Sequence, residues 1–63
     1  MNNKEKLIEV FTKVYTEEYE AMNELMAQYK ADPTIENIRA LKVMMDNVEN
    51  TQKVLTKLLG IES

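Results

Sequence analysis

Chemistry needs side chains that can hold a metal, pass a proton or attack a substrate. This chain offers carboxylates, hydroxyls and amines but no histidine and no cysteine. The usual zinc and iron ligand sets therefore cannot be assembled, and no disulfide can form. One carboxylate stands in an unusual place. Glu18 occupies a position where an apolar residue is expected, in the run Ile8, Phe11, Tyr15, Glu18, Met22, Leu25, Tyr29. Acid–base catalysis there would require a neighbouring base, a nucleophile or a glycine-rich phosphate loop, and none lies within sequence reach. Two copies of Glu18 related by symmetry could approach a metal, but carboxylate-bridged bundles add histidines at Glu-x-x-His spacing. No catalytic residue, metal or other cofactor is expected.

What positions Glu18 is a helix, and that helix must end at Lys30-Ala31-Asp32-Pro33-Thr34, the one interruption of a long helical pattern. Pro33 lacks an amide hydrogen and its ring collides with the preceding turn, so a helix running through it would lose about 3 kcal/mol. The spacing predicts a first helix over 3–31, capped by Asn2 or Asn3, with Asn2 and Glu5 placed as in a capping box. A second helix over 34–59 starts from Asp32 with Pro33 in first position, or from Thr34 one step later. Gly60 ends it in the left-handed C′ position, with Ile61 placed to fold back. A turn over 31–34 is short enough to force an antiparallel return. The fold expected is all-α, an antiparallel two-helix hairpin.

The second helix repeats the three-and-four spacing with Ile38, Leu41, Met45, Val48, Gln52, Leu55 and Leu59. Setting the register about Asp32-Pro33 places Glu18 and Gln52 in adjacent layers. The expectation is that Glu18 accepts a hydrogen bond from Gln52 or from the Tyr15 or Tyr19 hydroxyl, within or across subunits, and so fixes the register. Both helices are apolar over more surface than one neighbour covers. Val43, Met44, Val54 and Leu58 flank the second seam, and with Glu18 and Gln52 they are the candidates for self-association into a homodimeric four-helix bundle. Tyr19 and Met26 flank the first seam. Together with the acidic patch Glu17, Glu20 and Glu24, which could steer a basic partner, they are the candidates for binding another protein.

At 63 residues the chain is a single small domain, in the range where one core barely offsets chain entropy, so association is the expected source of further stability. Hydrophobic residues at 44% and charged residues at 30% read as a folded protein. The net charge of −3 argues against nucleic acid as the default partner. No apolar run approaches the ~20 residues of a membrane span, and the first residues carry no signal-peptide core, which makes a cytoplasmic protein the expectation.

Arg39, Lys42, Lys53 and Lys57 lie near one side of the second helix, interleaved with Asp46 and Glu49, a pattern read as a mutually paired solvated face. In length and plan the chain resembles the Rop-type hairpin that dimerises into a four-helix bundle, and members of that type recognise paired RNA loops. The resemblance implies, as an alternative, an RNA-binding regulator acting through these basic residues. A further alternative is a subunit of a hetero-helical complex. The leading reading is a non-enzymatic protein–protein interaction module serving as a regulator, adaptor or inhibitor. The preference for lysine over arginine and the six asparagines fit an AT-rich coding genome, so a low-GC bacterium, its plasmid or its phage is a compatible source.

Overall fold

The computed structural model describes residues 3–60, as helix α1 (Asn3–Ala31) and helix α2 (Ile35–Leu59) packed against each other in a hairpin. No glycine or proline interrupts either helix interior. Glu5 in the first turn of α1 and Lys30 in its last turn complement the helix dipole. The expected capping role of Asn2 and the fold-back of Ile61 fall outside the described residues.

The turn is built by hydrogen bonds that compensate for the amide Pro33 lacks. The Asp32 amide still donates to the Gln28 carbonyl at 2.9 Å, closing the last turn of α1. The chain then reverses around Pro33, with the Thr34 amide donating to the Asp32 carbonyl at 2.8 Å. That three-residue closure suits the fixed φ of proline at its centre. Of the two candidate caps, the structure selects Thr34, in extended conformation (φ −105°, ψ 164°), with its hydroxyl oxygen accepting from the Asn37 amide at 3.1 Å. Asp32 precedes a proline and is biased away from helical geometry. Its carbonyl also accepts from Asn37 Nδ2 at 2.7 Å, so one asparagine ties the turn to the first turn of α2. At the far end Gly60 adopts φ 73°, and its amide donates back to the Lys57 carbonyl at 3.2 Å. Glycine pays no steric penalty in that left-handed conformation.

The hairpin is one helix thick, with principal extents of 46 × 23 × 13 Å. Among the described residues the helices meet along a seam, and no large side chain is fully enclosed. Leu41 at 5% exposure and Val48 at 7% are the buried hydrophobic residues described, joined by Thr51 at 8%. On α1 the run Ile8, Phe11, Tyr15, Glu18, Met22, Leu25, Tyr29 is partly buried throughout.

On α2 the facing surface is rotated from the sequence expectation. Leu41, Val48 and Leu55 face the seam as anticipated, but the positions alternating with them are Asn37, Met44, Thr51 and Leu58. Ile38, Met45, Gln52 and Leu59 are exposed instead. The two sets flank the same central line, one on each side, so the difference is a rotation of α2 about its own axis by part of a residue step. Hydrogen bonding accounts for the choice: the rotated phase delivers Thr51 to Glu18 and keeps Asn37 over the turn.

Candidate functional site

The sequence singles out Glu18, and the structure provides it with a partner. The Thr51 hydroxyl donates to Glu18 Oε1 at 2.6 Å, across the seam between α1 and α2. Within one hairpin this corrects the expectation that Gln52 or a tyrosine hydroxyl fills that role. Thr51 carries its hydroxyl on Cβ, close to its own helix, so the short side chain meets a carboxylate arriving from the facing helix. Gln52 is longer and points out of the seam, where it remains exposed. A hydroxyl bonded to a carboxylate is the first half of an acid–base pair. Here it is an internal clasp, because Thr51 is only 8% exposed and its hydroxyl cannot meet a substrate without opening the hairpin.

Two other threonine hydroxyls are occupied within their own helices: Thr16 donates to the Thr12 carbonyl at 3.0 Å and Thr56 to the Gln52 carbonyl at 2.8 Å. Among the described residues no group of three carboxylate, histidine or cysteine side chains is placed to hold a metal ion. No described helix is long and apolar enough to cross a membrane.

Beside the clasp lies an open groove between the helices, lined by Tyr15, Tyr19 and Met22 of α1 and by Met45, Val48 and Gln52 of α2, with Asp46 and Glu49 at its edge. Tyr15 and Tyr19 stand one helical turn apart with ring centroids 5.9 Å from each other and planes tilted by 48°, within the range of favourable aromatic pairing. They form one wall. Gln52 thus belongs to the surface of the molecule, and Tyr19 joins it there at 44% exposure.

The other candidates distribute differently. Met44 and Leu58, expected to flank the seam and await a second chain, are partly buried on the side of α2 that faces α1. The rotation of α2 is what draws them in. Val43 at 60% and Val54 at 38% stay exposed, while Met26 is partly buried. Glu17, Glu20 and Glu24 are exposed on α1, and Glu20 lines a shallow depression with Thr16 on the outer side of the Tyr15–Tyr19 wall. On the outer side of α2, Lys42 Nζ lies 3.6 Å from Asp46 Oδ2, an i,i+4 ion pair between two well-exposed side chains.

Hydropathy does not point to Thr51. Its signal is positional, since residues 37, 44, 51 and 58 recur every seven residues and form a second seam phase beside the more apolar one. No family model, curated protein or solved structure matches the chain.

Proposed function

We propose that this chain is a non-enzymatic protein–protein interaction module, a small regulator, adaptor or inhibitor, built as a homodimer in which two hairpins form a four-helix bundle. The observation that carries the reading is the exposed apolar surface. Leu7, Val10, Tyr19, Ile35, Ile38, Val43, Met45, Val54 and Leu59 are all at least 38% exposed on a slab whose own seam buries very little. Ile38, Met45 and Leu59 recur along one stripe of α2, with Tyr19 across the groove from Met45, and an apolar patch of that kind suits a binding surface. The acidic residues Glu17, Glu20 and Glu24 stay in solvent and are suited to steering a basic partner protein.

The test is a binding comparison between two sets of variants. Replacing Glu17, Glu20 and Glu24 by lysine is expected to abolish capture of the partner protein, and replacing Lys42, Lys53 and Lys57 by alanine is expected to leave it intact. The opposite result, together with RNA binding that weakens steeply as salt is raised, would replace this reading with an RNA-binding regulator of the hairpin-dimer type. The Lys42–Asp46 ion pair supports the protein reading, because it neutralises part of the basic face.

A further inference from the structure

We infer that the groove face of the hairpin, carrying Tyr15, Tyr19, Met22, Ile38, Met45 and Gln52, is the surface on which a second copy of this chain packs. The inference rests on the homodimer reading and assigns its interface.

The first argument is periodicity. Ile38, Met45, Gln52 and Leu59 recur every seven residues along α2, and the three apolar ones are 41%, 48% and 51% exposed. A heptad stripe running the length of a helix keeps one face toward another helix over many turns. Recognition of a small molecule would not require that repeat. Because the hairpin's own seam uses the neighbouring phase of α2, this stripe remains available to a helix from outside.

The second argument is area. The chain exposes 5074 Å², whereas a compact monomer of this mass exposes about 4200 Å². The excess, on the order of 850 Å², comes from a slab open on both faces, and is enough to supply the ~800 Å² that each partner contributes to a standard stable interface.

The third argument is charge. Glu17 and Glu24 each precede a seam residue of α1 by one position, while Tyr19 and Met26 each follow one, so the two pairs border opposite faces of the hairpin. In a two-fold dimer the same patch meets itself. Packing through the face bordered by Glu17 and Glu24 would bring like charges together. The groove face is uncharged along its centre; of the two carboxylates at its edge, Asp46 is paired with Lys42, and Glu49 is exposed at the rim, where solvent screens it.

The experiment is sedimentation equilibrium on the wild-type chain, Met45→Glu and Val54→Glu, each over a wide concentration range. The wild type should be a dimer. Met45→Glu should raise the dissociation constant on the order of 100-fold or more, because a carboxylate would be buried in an apolar interface. Val54→Glu should change it by no more than about twofold, as for a surface substitution. A second measurement reads the interface without depending on mutant stability. The chain has no cysteine, so Met45→Cys and Val54→Cys each introduce a single reporter. The thiol at position 45 should be protected from alkylation in concentrated protein and reactive in dilute protein, and the thiol at 54 equally reactive in both. A dimer broken by Val54→Glu and not by Met45→Glu would overturn this interface while leaving the homodimer intact. A wild-type chain that is monomeric at every concentration would overturn both.

Discussion

Thr51 and Glu18, separated by 33 positions in sequence, share a 2.6 Å hydrogen bond that joins α1 to α2 near the middle of the seam. The bond satisfies a carboxylate placed where an apolar side chain would ordinarily sit, and it ties the lengthwise register of the helices to one pair of atoms. Sliding α2 along α1 by a turn would strand the carboxylate among methyl groups.

Thr51→Val keeps the shape of the side chain and removes the hydroxyl, leaving Glu18 without its seam donor. The expected cost is about 1–2 kcal/mol in urea unfolding. Introducing Glu18→Leu into the Thr51→Val background should recover much of that loss, since both polar partners are then gone. A double-mutant cycle in which the two changes simply add would show that the bond contributes no coupling.

Leu41 is among the most enclosed side chains of the hairpin, and Val43, two residues on, is 60% exposed. Leu41→Ala should cost about 2–4 kcal/mol, enough to unfold so small a structure. Val43→Ala should be neutral or slightly stabilising, by up to about 0.5 kcal/mol, because alanine has the higher helix propensity. Thermal melts followed by helical circular dichroism at matched protein concentration would separate the two. A large loss from Val43→Ala would instead place Val43 inside an interface.

Thr34 caps α2 by accepting from the Asn37 amide, while Asn37 Nδ2 holds the Asp32 carbonyl. Thr34→Ala is expected to lower stability by about 1 kcal/mol, and Thr34→Ser or Thr34→Asp to preserve it. Amide hydrogen exchange offers a local check: the first turn of α2 should lose protection in the alanine variant. Unchanged exchange there would mean that proline and Asn37 hold the turn without the cap.

At Gly60, with φ 73°, a Cβ would meet no atom within 4 Å, so any penalty for substitution comes from the backbone alone. Gly60→Ala should therefore cost about 1 kcal/mol, with Gly60→Asn costing less, because asparagine tolerates the left-handed region. Equal melting temperatures for the glycine and alanine forms would show that the end of α2 unwinds without consequence for the rest.

What the sequence determined by itself was the pair of helices, their break at Pro33 and the face that α1 turns inward. Each of these rests on a local cause: the missing proline amide, a glycine able to adopt positive φ, and a three-and-four spacing in which Ile8, Phe11, Tyr15, Met22, Leu25 and Tyr29 all fall on one stripe. Pattern alone could not choose the rotation of α2. Leu41, Val48 and Leu55 belong to both possible seams, and the stripe through Ile38 and Met45 is the more apolar one, so hydropathy favours the phase the fold does not use. Only the tertiary structure decided it, by bringing a carboxylate from one helix against a hydroxyl from the other and by tying Asn37 to the turn. The same reason explains the groove. Once α2 rotates to satisfy Glu18, Met45 and Gln52 are left facing outward beside Tyr15, Tyr19 and Met22, a juxtaposition that depends on the long-range pairing of residues 18 and 51.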